Sequence, residues 1–206
     1  KNPYGPSACV RNDGVQVEEM TEYDMDFVAD EFAKSAAICK SCGFDVIQVH
    51  AAHGWLLSSF LSPYNNRRTD KYGGSLENRV RFPLKVLEQV RDAIGNDTLL
   101  DCRFSVVDSL DPAVTVEDTV AFLQMAEDLL DFASPSRGNR WAIADRSLMF
   151  PNMFNGYGSN LFLSKQLKEA GIRTPIIAMG GMQNPAVVES TLAEGICDFV
   201  GEGKGS

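Results

Sequence analysis

The sequence predicts an α/β chain built on a parallel sheet. Three observations carry that expectation. Short β-branched runs alternate with amphipathic helical stretches along the chain. Glycines stand directly after the helical stretches as stops. Apolar residues make up 44% and charged residues 23% of 206 residues, which is enough apolar surface to bury a core and excludes disorder as the main state. No internal repeat or low-complexity tract interrupts the alternation.

The elements follow in order. Residues 21–42 read as a helix, with Met25, Val28, Phe32 and Ala36 at spacings of three and four and acidic residues in the first turns, where they suit the helix dipole. Gly43 stops it. Residues 44–50 (FDVIQVH) read as a strand. Residues 75–94 are helical, with Ser75 as N-cap, Gly95 just past the end and Pro83 marking a kink. The next strand is 99–106, and a helix follows over 116–130 with Thr115 as its cap. A weak strand falls near 129–134. Residues 159–170 form a helix ended by Gly171, and 175–179 (PIIAM) read as a buried strand. Asn184-Pro185 opens a helix with proline at its first position, ending near Gly195. Residues 197–200 form the last strand. About five strands with helices between them imply right-handed crossovers. An open doubly wound sheet and a β/α barrel both satisfy that pattern; a complete barrel needs eight strands and about 250 residues.

A net charge of −9 argues against nucleic acid and anionic membranes as partners. No apolar run approaches the roughly 18 residues of a membrane span, and the first residues carry no secretory signal, so a cytoplasmic protein is expected. The five cysteines are scattered and odd in number, unlike a secreted disulfide framework. Cys39-Lys40-Ser41-Cys42 ends a helical stretch rather than opening one, and no second pair completes a zinc site, so no metal is expected.

In either architecture, function belongs at the C-terminal ends of the strands. Both histidines fall at one such end, in His50-Ala51-Ala52-His53-Gly54-Trp55. The small neighbours allow a tight turn and leave the imidazoles uncovered. Two N–H groups converging there can hold a carbonyl oxygen as negative charge develops on it. Two structural histidines are the plainer alternative, and a metal would need a third ligand. Arg103 lies inside the strand 99–105, where a charge is costly unless paired; it faces either a neighbouring carboxylate or an electron-rich cofactor. Gly180-Gly181 and Gly201-Glu202-Gly203-Lys204 each follow a strand, and exposed backbone N–H groups in such turns suit phosphate.

The stretch HAAHGWLLSSFLSPYNNRRTDKYGGSLENRVRF (50–82) closely resembles the old yellow enzyme family of NAD(P)H:flavin oxidoreductases. Gly5-Pro6-Ser7-Ala8, Arg103-Phe104-Ser105, Ile177 to Gly181 and Asp198 to Lys204 follow in the family's order. Met149-Phe150-Pro151 with Tyr157-Gly158 looks most like the 2,4-dienoyl-CoA reductase and bile-acid-enzyme branch. The resemblance implies one partial (β/α)8 TIM-barrel domain over 1–206, incomplete, corresponding to strands four to eight with their helices. It implies FMN as cofactor, NADH or NADPH as reductant, and a small-molecule substrate: the activated C=C of an α,β-unsaturated carbonyl or thioester. His50 and His53 would hold the substrate oxygen, Arg103 would contact the flavin, and Gly180, Gly181, Gly203 and Lys204 would cradle its phosphate. Residues 65–82 are expected as scaffold, with Arg67, Arg68 and Asp70 pairing.

Two departures from the family stand out. Trp55 replaces a usual tyrosine proton donor and is expected only to wall the substrate pocket. Lys204 replaces a usual arginine, which removes a bidentate phosphate contact. With the first three strands unmatched, the expected state is a homo-oligomer or association with the missing barrel segment. A non-catalytic barrel fragment that folds by such association is the alternative to an ene-reductase.

Overall fold

The computed structural model describes residues 2–11, 13–151 and 154–202. Three short strands come first: β1 (Tyr4–Gly5), β2 (Cys9–Val10) and β3 (Gln16–Glu19), with β3 in the middle, parallel to β1 and antiparallel to β2. Helix α1 (Glu22–Ser41) opens on a reciprocal cap. The Thr21 hydroxyl accepts from the Asp24 N–H, and the Asp24 carboxylate accepts from the Thr21 N–H. Cys42 closes the helix as its C-cap.

Five parallel strands follow. They are β4 (Val46–Ala51), β5 (Leu99–Ser105), β6 (Phe132–Ser136), β7 (Ile177–Met179) and β8 (Phe199–Gly201). β4, β5 and β6 form one continuous ladder, β7 pairs with β8, and a bridge between Ala133 and Ile176 joins the two groups. Between β4 and β5 lie α2 (Leu56–Leu61), α3 (Leu76–Arg79) and α4 (Arg81–Ile94). Helix α5 (Val116–Ala126) precedes β6. A 3₁₀ turn (Ile143–Asp145), α6 (Arg146–Met149) and α7 (Leu161–Glu169) precede β7, and α8 (Pro185–Ala193) precedes β8.

Strand parity sets the two faces of the sheet. Val49, Ala51, Leu100, Cys102, Phe104 and Ala133 pack into the core against Met25 and Ala29 of α1, Phe82, Val86 and Val90 of α4, and Phe122 and Leu123 of α5. The alternate positions Gln48, His50, Asp101, Arg103, Ser105, Ser134 and Ser136 share the opposite face. Buried Asp101 there accepts from Gln48 Nε2 at 2.5 Å and from Ser134 Oγ at 2.9 and 2.8 Å. Burial pushes its carboxyl pKa up, against those hydrogen bonds.

The expected helices and strands are present with shifted ends. The 44–50 strand begins at Val46 and runs on to Ala51, and the last strand starts at Phe199. The single helix expected over 75–94 is two, α3 and α4, joined at Val80. The joint falls before Pro83, which is the third residue of α4, where the N–H it lacks is not needed.

Candidate active site

His50 is the penultimate residue of β4, directly opposite Arg103 of β5 in the ladder, so both side chains emerge on the same face. His53 follows in the loop, its ring centroid 5.2 Å from that of His50 and tilted by 54°. Its backbone has φ 63°, the left-handed region, the only such non-glycine among the described residues. Three contacts fix it there. Its N–H donates to Ser105 Oγ at 2.9 Å, its carbonyl accepts from the Arg140 N–H at 3.1 Å, and its Nε2 meets Ser136 Oγ at 2.7 Å. Ser105 Oγ in turn donates to the Gly138 carbonyl at 2.8 Å. Nδ1 is therefore the nitrogen that His53 has left for a ligand.

Burial lowers both histidine pKa values, and the Arg103 charge adds to the effect; His53 is pushed down to about 4. Both imidazoles are neutral at pH 7, so each offers one N–H. Arg103 reaches Ser136 Oγ only at 3.5 Å, and its buried Nε has no hydrogen-bond partner. No carboxylate lies within ion-pair distance of it among the described residues. An orphaned guanidinium N–H beside a neutral imidazole pair is a donor set without an acceptor.

Gly54, at φ 75°, lets Asn139 close over the loop: a Cβ there would stand 2.3 Å from Asn139 Oδ1. Trp55 is half exposed at the rim, with the Arg140 guanidinium 4.2 Å above its ring. Phe150 packs on His53 at 5.6 Å, and the next residue, Pro151, stands 3.2 Å from where a Gly180 Cβ would be. One dipeptide thus spans from the histidines to the turn after β7. Gly180 and Gly181 have φ of 97° and 72°, and the space a Cβ of Gly181 would take is filled by backbone of Gly156 and Gly158. These glycines are required by that close approach, whatever else their N–H groups bind. Gly203 and Lys204 lie outside the described residues.

Residues 2–206 match the NADH:flavin oxidoreductase / NADH oxidase family. The chain belongs to this family. The family's description pairs a flavin with NADH as reductant. An NADH oxidase from Thermoanaerobacter brockii is 33% identical over 193 residues, covering 93% of this chain and 29% of its own length. The solved 2-naphthoyl-CoA reductase, in complex with 2-naphthoyl-CoA, superposes with a TM-score of 0.88 at 30% identity, over 97% of this chain and 30% of that one. An old yellow enzyme homologue from Zymomonas mobilis shares the fold, with a TM-score of 0.76 at 23% identity over 98% of this chain and 57% of that one. The chain thus spans between about a third and somewhat over half of these proteins. Its five parallel strands are those of an incomplete β/α barrel, and the histidine face is the C-terminal mouth.

Proposed function

We propose that the chain carries the substrate-binding face of an FMN-dependent NAD(P)H oxidoreductase acting on the activated C=C of an α,β-unsaturated carbonyl or thioester. The observation that carries this is the pairing of two neutral, converging imidazoles with a half-buried Arg103 whose buried Nε lacks a partner. Bound FMN supplies two-electron hydride chemistry between NAD(P)H and the substrate's β-carbon. Arg103 would lie against the flavin ring, its fixed positive charge favouring an electron-rich ring. The N–H groups of Gly180 and Gly181, with Gly203 and Lys204, would hold the phosphate.

His50 and His53 hold the substrate's carbonyl oxygen through one N–H each. That oxygen gains negative charge in the transition state, so the two donors matter most there. Neutral imidazoles at pH 7 orient and stabilise; they do not supply an acid proton. The Trp55 indole carries no acid proton either and serves as a wall. The likeness to a reductase solved with an aryl-CoA thioester supports the thioester side of the substrate class.

Stopped-flow kinetics of the two half-reactions test this. His50→Ala and His53→Ala should each slow flavin reoxidation by an enone about 10²–10³-fold, with far less effect on flavin reduction by NAD(P)H. Equal slowing of both half-reactions would assign the histidines to the flavin site and defeat the oxygen-holding role.

A further inference from the structure

Beside the histidine pair lies an open cavity of about 580 Å³, lined by Arg11, Arg140, Arg146, Trp141, Ile143 and Phe150. Its volume is that of a small-molecule site. Phe150 is shared between this cavity and the His53 ring, so the two spaces adjoin.

The charges around it are uneven. Asp13 is the one acidic residue on the wall, and it is bound to Arg11 at 2.6 Å. Arg140 stacks on Trp55 at 4.2 Å and on Trp141 at 5.0 Å, and Arg11 lies 5.3 Å from the Trp141 ring. Neither Arg140 nor Arg146 has a carboxylate within ion-pair distance among the described residues. The nearest acid in sequence, Asp145, is buried, and its oxygens accept from Ser109 N–H, Ser109 Oγ and Asn139 N–H. A chain of net charge −9 thus leaves two guanidiniums unpaired around an indole and an open volume. Guanidinium forks match phosphate and carboxylate, and the aromatic wall matches a flat apolar body.

We propose that this cavity binds the anionic group, phosphate or carboxylate, of a ligand whose flat apolar part lies on Trp141, Ile143 and Phe150. Resting on the function proposed above, the ligand's reacting end then reaches the histidine pair past Phe150. Substrate and dinucleotide reductant can both carry such an anion, and the kinetic arms below separate them.

Trp141 lines this cavity and Trp55 stacks against Arg140 of its wall, so the fluorescence of the chain's two tryptophans reports its occupancy. Purified protein is titrated with phenyl phosphate and, in parallel, with benzyl alcohol as the neutral probe. Phenyl phosphate should bind at least about tenfold more tightly, since charge-assisted hydrogen bonds are the stronger class. Arg146→Gln should remove most of that preference, and Arg146→Lys should keep part of it. Arg146 is exposed, so these variants fold. Equal affinity for the two probes, or unchanged phenyl phosphate affinity in Arg146→Gln, overturns the proposal. In steady-state and half-reaction kinetics, Arg146→Gln should raise either the KM for NADH or that for a carboxylate-bearing enal, and the one that rises identifies the ligand. A rise in neither overturns the placement of the anion. The visible absorbance of bound flavin is recorded on every preparation. Colour retained with no phenyl phosphate preference rejects this cavity alone; a preference without colour rejects the oxidoreductase reading alone.

Discussion

His53 is where local cost and the proposed function meet. A left-handed backbone costs a non-glycine residue about 1–2 kcal/mol, and the Ser105, Arg140 and Ser136 contacts hold it there. His53→Gly should therefore be about 1 kcal/mol more stable than His53→Ala by urea unfolding, although both lose the ring. Equal midpoints would show that the loop relaxes in the alanine variant. The same residue sets a pH dependence. Its folded pKa, about 4, lies below the ~6.5 of an unfolded histidine, so the unfolded chain binds the proton more readily between those values. Its contribution to stability is complete above about pH 6.5 and is lost as pH falls towards 4. Urea midpoints measured from pH 7 to 4.5 should fall less steeply in His53→Gln than in the parent chain. The histidine pair was legible in the sequence because both residues share a strand end. Ser136 was not, since a serine in a strand carries no motif; only the parity of Phe132, Ser134 and Ser136 could have pointed to it.

At the scale of elements, Arg68 ties two layers together. The sequence suggested that it pairs with Asp70, and it does, through Nε at 3.0 Å and Nη2 at 2.6 Å. Its Nη1 also donates to the Pro6 carbonyl at 2.9 Å and the Met20 carbonyl at 2.8 Å, which fastens the β1–β3 layer to the loop before α3. Gly73 permits this packing, because a Cβ there would stand 2.2 Å from the Arg68 carbonyl. Arg68→Ala takes this donor from two carbonyls and the ion pair from Asp70, which keeps only the Tyr72 N–H, and should cost about 3 kcal/mol in chemical denaturation. Arg68→Lys should recover little, since a lysine cannot reproduce the fork. A loss below about 1 kcal/mol would show that water replaces the side chain. The longer helices and strands were legible from period and caps. Strands β1 and β2, of two residues each, were not, being too short to show a period. Helix α2 escaped notice because five of its six residues are buried and it presents no polar face.

For the whole molecule, the concave face changes character along the strands. Its upper part is the polar set around His50 and Arg103. Its lower part is apolar: Val46 opposes Leu99, Ile177 opposes Phe199, and Phe132 meets Phe199 edge to face at 5.2 Å. Val46, Leu99 and Phe199 are 43%, 37% and 49% exposed, and β4 and β8 are edge strands. Unpaired edges beside bare apolar side chains invite association. The 206-residue chain should therefore scatter light as a dimer or larger species at micromolar concentration. A cooperative monomer with no affinity for a hydrophobic dye would contradict this. Strand–helix alternation alone did not distinguish an open sheet from a barrel, because both use the same local units; the long 50–82 match decided it.

The split between the sheet's two faces also acts as a proofreading device for strand alignment. Sliding β5 by one residue against β4 would turn Cys102 and Phe104 towards the mouth and drive Arg103 and Asp101 among Val86, Val90 and Phe122. A misaligned sheet would thus strand two charges in hydrocarbon, far costlier than any backbone ladder could offset. The arginine at the mouth therefore also guards the register, so the side chain proposed to lie against the flavin also disfavours a misaligned sheet.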